Sequence, residues 1–297
     1  MAQGRGTGVR RHASDCARRP VPYRDGMRPS EHVLDMFAVP GDLEPLPGGQ
    51  GHSVRAGDLV LSPGRDEATQ SRLNPHLARL AADLDTRRGR DRRDLRIAMP
   101  VPARDGNWVV DGWAATRYEP GTRRLTDLTA VRAVGAVLHA ELARAVRSWP
   151  PAAQPPTGRW AVAERIAFGE SGLPERLAPD VRHLADRLAA GLDATPLGPA
   201  QLVHGDLAGN VLLDPDGAPV VIDVAPYWRP ALWAEATCVL DGVTDLDADP
   251  AVMTEWTKGA PRQAMLRAAL FRLLSDRPAH APALESALAP VLAGLRA

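Results

Sequence analysis

The chain has 297 residues, with 36 Lys and Arg against 36 Asp and Glu, so its formal net charge is zero. This balance excludes the overall basic excess that favours nucleic-acid binding, and we expect no nucleic-acid partner. No segment reaches the roughly 18 consecutive apolar residues of a membrane-spanning helix, so we expect no membrane insertion either. The length allows one large or two modest domains with a buried core.

The first 30 residues differ in composition from the rest of the chain. They contain seven arginines among Gly, Pro and Ala. Low hydrophobicity with a strong excess of positive charge predicts a disordered Arg-rich tail over residues 1–30, and no apolar run of signal-peptide length occurs in it. A short arm that binds phosphate or nucleic acid, and a start codon assigned too far upstream, are the alternatives.

The chain has two cysteines, Cys16 and Cys238. They match neither a disulfide framework nor the spacing of zinc ligands. This cysteine usage favours a reducing compartment, and we predict a cytoplasmic protein.

Residues 31–118 alternate short apolar runs with turn signals, which predicts a small β-rich region. An N-cap at Ser30 predicts a short helix that ends near Phe37. Short strands are then expected on both sides of a glycine-rich turn and up to residue 61, and a hairpin over residues 95–118. Three glycines lie in the turn: Gly48, Gly49 and Gly51. Glycines let a backbone approach phosphates closely, although this short pattern is also typical of a plain turn.

Helical spacing of apolar residues occurs in one segment of this β-rich region and in most of the chain from residue 126 to residue 202. Apolar residues predict a helix over residues 66–84, which the Asn74-Pro75 pair is expected to split. Further helices are predicted from residue 126 to residue 142 and from residue 177 to Gly191. His139 lies on or beside the apolar stripe of the first of these, and we interpret it as a core histidine.

Residues 202–224 combine two apolar runs with three polar side chains that can bind a metal or move a proton. Asp206 follows His-Gly in a loop, Asn210 precedes one predicted strand, and Asp223 follows the next. The turn signal Pro-Asp-Gly at residues 215–217 predicts that the two strands pair as a hairpin. Asn210 and Asp223 should then meet at its open end. Carboxylate and amide oxygens suit Mg²⁺, which shares its ligands with substrate phosphates.

The order His204-Gly205-Asp206-Leu207, Asn210 and Ile222-Asp223 resembles the catalytic core of the aminoglycoside phosphotransferase family. The resemblance implies an α+β, two-lobed protein-kinase-like fold with a small antiparallel β lobe, residues 31–118, and a larger mainly helical lobe, residues 119–297. It implies ATP and Mg²⁺ as cofactors. Asp206 would be the catalytic aspartate that orients the acceptor hydroxyl, and Asn210 and Asp223 would hold the metal. Residues Gly48, Gly49 and Gly51 would cover the phosphates, and adenine would contact the backbone near Ala115 and Arg117.

The sequence departs from the kinase pattern in two places. Three residues separate Asp206 from Asn210, where protein kinases have four, and Gly209 can supply the backbone freedom that a shorter loop needs. Protein kinases also place a lysine on the third strand of the small lobe. Here that position is Ser62, and the only lysine of the whole chain is Lys258.

Three interpretations of the missing lysine stay open. Arg65 or Arg55 could reach the phosphates, although a planar guanidinium does not replace an ammonium equally. The nucleotide could bind without this contact and turn over slowly. Alternatively, the chain could be a non-catalytic relative. Glu67 is the glutamate available on the following helix, where kinases pair a glutamate with the lysine, and it is a weak candidate.

The C-terminal part contains an aromatic segment and several predicted helices. Residues 226–230 are expected to line the cleft, either stacking on a substrate or bracing the metal loop. Helices are predicted over residues 231–240, 252–274 and 283–295. Four aspartates lie among them and could form an acidic rim for a polyamine, although a solvated loop is favoured: Asp241, Asp245, Asp247 and Asp249.

Together these features predict an ATP-dependent phosphotransferase whose partners are a nucleotide and a small hydroxylated substrate. A protein kinase is disfavoured because no Ala-Pro-Glu segment follows Asp223. The alternative is a pseudokinase-like nucleotide-binding or regulatory protein with weak or no turnover.

Overall fold

The computed structural model describes residues 28–46, 52–149, 157–275 and 281–293. Its helices are α1 (Glu31–Met36), α2 (Glu67–Thr86), α3 (Leu128–Ala145), α4 (Arg159–Ala167), α5 (Pro179–Ala190), α6 (Ala231–Asp245), α7 (Gly259–Ser275), α8 (Ala281–Ala287) and α9 (Ala289–Leu292). A 3-10 helix spans Pro250–Trp256. Its strands are β1 (Leu43–Pro45), β2 (Val54–Ala56), β3 (Leu59–Ser62), β4 (Arg96–Ile97), β5 (Pro100–Val101), β6 (Ala114–Arg117), β7 (Arg123–Arg124), β8 (Ala200–His204), β9 (Val211–Leu213), β10 (Pro219–Val221) and β11 (Pro226–Pro230).

The N-terminal sheet is antiparallel, with the strand order β1-β2-β3-β6-β5. Helix α1 begins after Ser30, whose side chain accepts the backbone N–H of Val33. Val33 and Phe37 pack with the buried face of this sheet. The alternation of apolar and polar residues in β2 therefore places one face in a small core and leaves the other available to a cleft.

The hairpin predicted over residues 95–118 forms with shorter strands. Strand β5 pairs with β6, and Val101 lies opposite Ala115. Val110 and Trp113 form an isolated bridge, and between them Asp111 and Gly112 have positive φ values of 49° and 78°. This tight turn ends the extended run before β6 begins.

Helix α2 is continuous through Pro75, so the predicted split of this helix is wrong. The proline removes one backbone hydrogen bond and would by itself cost about 3 kcal/mol in a helix interior. Leucines on both sides of it, at Leu73, Leu77, Leu80 and Leu84, are buried in one cluster with α3 and β10. Burial of that whole face outweighs the local penalty.

The second sheet has the order β4-β10-β9-β7, and β4 runs parallel to β10. Strands β8 and β11 form a separate antiparallel pair. Helix α3 packs against β8 and α6. Strands β9 and β10 are the two inner strands of this sheet, and Val211 and Val221 on them are fully buried.

The C-terminal core is formed by α4 to α9 around the fully buried Trp233. The single helix expected over residues 252–274 is instead a 3-10 helix followed by α7, because Gly259 at φ 57° interrupts the chain direction. The last predicted helix is likewise divided into α8 and α9. Within the described ranges, no helix is both long and apolar enough to cross a bilayer.

Candidate active site

The predicted hairpin forms and brings Asn210 close to Asp223. Strand β9 pairs with β10, with Val211 opposite Val221. Beyond the last pair, the N–H of Ile222 donates to the carbonyl of Asn210 at 3.0 Å. The turn at the other end is held by the Asp214 side chain, which accepts two backbone N–H groups. Asn210 and Asp223 therefore lie at the same open end.

The loop from Asp206 to Asn210 closes with one residue fewer because Gly209 adopts φ 83°, a left-handed conformation that suits glycine. The N–H of Asn210 donates to the carbonyl of Leu207 at 3.0 Å. Its side-chain Nδ2 donates to the carbonyl of Asp206 at 2.7 Å and lies 3.4 Å from one carboxylate oxygen of Asp206. The short loop thus keeps Asn210 in contact with Asp206.

Two buried histidines hold this loop. The Nδ1 atom of His204 accepts the backbone N–H groups of Asp206 and Ala225 at 3.1 and 3.4 Å. The backbone N–H of His204 donates to Nε2 of His139 at 3.2 Å. Burial lowers the pKa of His204, and it lowers the pKa of His139 to about 4. Both rings are therefore neutral acceptors near pH 7, and the interpretation of His139 as a core histidine is confirmed.

Asp206 contacts an arginine that the sequence did not single out. Its Oδ1 lies 2.7 Å from Nη2 of Arg272 on α7. The same guanidinium donates through Nε to Oδ1 of Asp241 at 2.7 Å and through Nη2 to Oδ2 at 2.5 Å. Burial raises the pKa of Asp241 to about 7, and the adjoining guanidinium acts in the opposite direction. Nothing in the local sequence relates Asp241 to Arg272, because they lie on different helices.

Asp223 is held in a conformation that side chains rarely adopt, with φ 50°. Its Oδ1 lies 2.6 Å from Nη1 of Arg65, and these side chains are 41% and 27% exposed. The backbone N–H of Arg65 donates to the carbonyl of Gly112 at 2.9 Å. Arg65 thus reaches across from the loop after β3 to the open end of the hairpin. Backbone strain of this kind clusters at functional sites.

A cavity of about 550 Å³ lies between the N-terminal sheet, α2 and the hairpin. Its apolar part is formed by side chains from all three elements, among them Val60, Leu77 and Leu212, and by Ile97 on β4. Its polar part includes Ser62, Arg65, Asn210 and Asp223. An apolar enclosure with a few converging polar groups at one end is typical of small-molecule and cofactor sites.

Comparison with known proteins identifies the fold. No protein-family model and no curated protein matches the chain. A thermostable mutant of aminoglycoside phosphotransferase APH(4)-Ia is 17% identical in sequence, with a TM-score of 0.52 over 86% of this chain and 96% of that one. The chain has the protein-kinase-like fold of the aminoglycoside phosphotransferases. The prediction of a two-lobed α+β fold is confirmed.

Two further structures of this kinase-like class match at lower similarity. Amicoumacin kinase hAmiN, solved in complex with AMP-PNP, Ca²⁺ and Ami, is 15% identical over 89% of this chain and 83% of its own, with a TM-score of 0.48. An aminoglycoside phosphotransferase from Alicyclobacillus acidocaldarius is 15% identical over 91% of this chain and 96% of its own, with a TM-score of 0.47.

Within this kinase-like fold, the structure distinguishes between the two arginines considered for the phosphates. Arg65 lines the cavity. Arg55 instead pairs with Glu44 at 3.3 Å, donates to the carbonyl of Gly57 and lies over the ring of Tyr118. Arg65 is therefore the better candidate, and Arg55 serves the β1–β2 edge of the sheet.

The position that holds the strand lysine in protein kinases is a neutral serine here. The hydroxyl of Ser62 lies 2.9 Å from that of Ser53. Glu67 is exposed at the first turn of α2 and does not line the cavity. The polar residues of α2 that do line it are Gln70 and Asn74, one and two turns further along the helix. Neither residue was predicted from the sequence, because a polar residue on a helix is usually exposed to solvent and only the packing of α2 shows that these two face the cavity.

Five further residues were predicted to contact the nucleotide, and the structure describes two of them. Ala115 and Arg117 both line the cavity, and the N–H of Arg117 already donates to the carbonyl of Met99 within the sheet. Contact of this segment with adenine stays a prediction. Gly48, Gly49 and Gly51 lie outside the described residues.

The aromatic segment braces the loop that carries Asp206. Residues 226–230 form β11, which pairs with β8, so His204 lies opposite Pro226. The ring of Tyr227 makes edge-on contacts with Trp233 and Phe271. A Cβ atom at Gly205 would lie 2.4 Å from that ring, so only glycine fits there. Packing of this kind supports bracing of the loop over substrate stacking.

Proposed function

We propose that the chain is an ATP-dependent phosphotransferase that transfers the γ-phosphate to a hydroxyl group of a small molecule. The observation that supports this most is the arrangement of Asn210, Asp223 and Arg65 at the polar end of the cavity, with Asp206 next to Asn210. The apolar part of the cavity suits a nucleobase, and the polar end suits phosphates. The acceptor would then approach Asp206 from outside the cavity.

The residues present fit Mg²⁺. The Nδ2 atom of Asn210 donates to the carbonyl of Asp206, which leaves the Oδ1 atom of Asn210 available as a ligand. Asp223 supplies a partly exposed carboxylate. Mg²⁺ is usually bound by one or two carboxylates together with substrate phosphates and water. When bound, it neutralises charge on the phosphate oxygens.

Asp206 is suited to orient the acceptor. Its side chain is 49% exposed, so a hydroxyl can reach it. One of its oxygens is held by Arg272, and the other lies near Asn210. The transition state of phosphoryl transfer is loose, so catalysis consists mostly of positioning and charge neutralisation. A fixed carboxylate that accepts a hydrogen bond from the hydroxyl meets that need.

Arg65 is proposed to take the place of the strand lysine. A guanidinium presents a fork that matches phosphate oxygens, and Arg65 already lies at the polar end of the cavity beside Asp223. Phosphate oxygens would replace the carboxylate as its partner when nucleotide binds. Ser62 contributes a neutral hydroxyl to the same wall.

The other assignments follow from the same proposal. Residues 31–118 would bind the nucleotide, with Gly48, Gly49 and Gly51 over the phosphates and the backbone near Ala115 and Arg117 beside adenine. Residues 119–297 would provide catalysis and the acceptor site. The two-cysteine composition favours the reducing cytoplasm as the place of this activity.

A nucleotide-binding protein without turnover is the second candidate. The observation that favours it is the neutral Ser62 on the cavity wall, at the position where protein kinases have a lysine, while Glu67 does not line the cavity. In that case Mg-ATP would bind without measurable transfer.

Calorimetry with Mg-ATP and an ATP hydrolysis assay test the proposal. We expect Asp206→Ala to lower hydrolysis by about 10²- to 10⁴-fold, the range typical of a positioned acid–base group, with Mg-ATP affinity nearly unchanged. Asp223→Ala should weaken Mg-ATP binding strongly. Asp216→Ala is the matched control, because Asp216 is exposed in the turn at the far end of the same hairpin.

Two outcomes would overturn these assignments. Equal hydrolysis by the parent and Asp206→Ala would exclude the enzyme and leave the nucleotide-binding protein. No detectable nucleotide binding would exclude both. A panel of aminoglycosides and sugars, assayed for phosphorylation, then tests the class of acceptor.

A further inference from the structure

Asp206 is a half-exposed carboxylate at the end of β8, flanked by Gly205. A carboxylate in such a place would rotate freely without a partner. Its Oδ1 is instead held by Nη2 of Arg272 at 2.7 Å, and the same nitrogen lies 3.3 Å from the carbonyl of Gly205. Arg272 therefore contacts both the side chain and the backbone of the loop.

Arg272 is itself fixed from the opposite side. It is 7% exposed, and the carboxylate of Asp241 on α6 accepts hydrogen bonds from its Nε and Nη2 atoms, at 2.7 and 2.5 Å. Helices α6 and α7 are packed together in the C-terminal core. A two-point contact between a carboxylate and a guanidinium fixes the plane of the guanidinium as well as its position.

This buried cluster is poorly explained by stability alone. Desolvation makes a buried ion pair a weak source of stability, and apolar residues of similar volume often serve as well or better. The cluster extends from the helical core to one surface group, the carboxylate of Asp206. Its oxygen held by Arg272 faces the core, and its other oxygen lies 3.4 Å from Asn210.

We propose that Arg272 is a positioning residue for phosphoryl transfer, and that Asp241 anchors it. Arg272 holds one oxygen of Asp206 so that the other faces the acceptor hydroxyl. The inference rests on the proposed function, because the held carboxylate matters only if Asp206 orients an acceptor. Neither Arg272 nor Asp241 touches the nucleotide in this arrangement, since neither lines the cavity.

The test compares Arg272→Met with Arg267→Met. Arg267 lies on the same helix and donates to two backbone carbonyls, those of Ala167 and Asp193, at 2.8 and 3.0 Å. Its replacement removes the same charge and two hydrogen bonds to backbone carbonyls without reaching Asp206. We expect Arg272→Met to lower kcat for ATP hydrolysis about 10- to 100-fold, at or below the lower limit of the range expected for Asp206→Ala, because the variant keeps the carboxylate and loses only its positioning. The Kd for Mg-ATP should change less than about threefold.

Two more variants keep the test decisive. Arg272→Met leaves Asp241 buried without its partner, which can prevent folding. The double variant Asp241→Asn with Arg272→Met removes both charges and should fold, with the same loss of kcat. Arg272→Lys keeps the charge without the fork and should recover only part of the rate.

The outcomes separate the inference from the proposed function. Equal kcat values for the double variant and Arg267→Met would overturn the positioning role. No hydrolysis by the parent would overturn the proposed function instead. In that case, crystal structures of the parent and the double variant judge the positioning by itself: an unchanged Asp206 carboxylate orientation overturns it, and a rotated one supports it.

Discussion

Two arginines each contact one of the aspartates at the candidate site, in different surroundings. Arg65 reaches Asp223 from a loop of the small lobe, and solvent has access to both side chains. Arg272 reaches Asp206 from a core helix and is also held by the buried Asp241. Solvent weakens the first pair and makes exchange of partners inexpensive. The second pair is desolvated, so removing one partner is costly.

The difference separates an adjustable half of the site from a fixed half. Binding a polyanionic nucleotide with a metal requires groups that can change partners. Orienting a hydroxyl requires a carboxylate that stays in place. The small lobe supplies the first property through Arg65, and the large lobe supplies the second through Arg272 and the histidines below the loop. Ser62 is a neutral hydroxyl in the adjustable half, at the position where protein kinases have a lysine.

The fixed half should be the more sensitive to acid. His139 accepts a hydrogen bond from the backbone of His204, and burial lowers its pKa to about 4, below its ordinary value of 6.5. The unfolded chain therefore binds a proton first as pH falls through 6.5. The free energy of unfolding should decline from that pH down to about 4, by up to about 3 kcal/mol, with no further loss below it.

Urea unfolding of the parent and His139→Gln measures this contribution. Glutamine offers an acceptor oxygen and does not titrate, and His204 is present in both proteins. Between about pH 7.5 and about pH 5.5, the parent should lose about 1.4 kcal/mol more stability than the variant. Parallel pH profiles would show that a neutral His139 does not hold the loop.

The adjustable half should show an effect on nucleotide affinity. Arg65→Met removes the cation proposed for the phosphates, and the Kd for Mg-ATP should rise about tenfold, or about 1.4 kcal/mol. Ser62→Lys in the same background restores a cation on the cavity wall and should recover much of that loss. Arg55→Met is the control, since Arg55 pairs with Glu44 at the sheet edge.

Calorimetry decides between the two arginines. A Kd for Arg65→Met that equals the Kd for Arg55→Met would mean that Arg65 does not bind the phosphates. Failure of Ser62→Lys to improve the affinity of Arg65→Met would mean that the wall at Ser62 does not face them. Either result would contradict the proposal that the half of the site with Arg65 and Ser62 binds the phosphates.

The sequence predicted what local signals specify. The turn at residues 215–217 and the apolar runs beside it predicted the hairpin, and the hairpin brought Asn210 close to Asp223. The cap predicted at Ser30 lies where α1 begins. Each of these features depends on residues only a few positions apart.

Contacts between distant residues could not be predicted in this way. Asp241 and Arg272 are 31 residues apart on two helices, and only the packing of α6 on α7 brings them together. Asp241 therefore looked like part of an acidic rim. At Pro75 a local signal was present and led to a wrong prediction. Proline does destabilise a helix interior, but burial of the apolar face of α2 on both sides of Pro75 outweighs that penalty.

The smallest expected effect concerns the Arg65–Asp223 pair itself. An ion pair this exposed contributes at most about 1 kcal/mol to folding, so Arg65→Met should lower the free energy of unfolding by no more than that. Raising NaCl from about 0.05 M to about 0.5 M shortens the Debye length severalfold and should remove the difference.

Arg104→Met is the matched control, because Arg104 pairs with Asp35 at 2.7 Å and both are well exposed. Urea unfolding in both salts should give similar, salt-dependent losses for the two variants. A salt-independent loss of several kcal/mol for Arg65→Met would show that this pair is as fixed as the one at Asp206, and the division into two halves would fail.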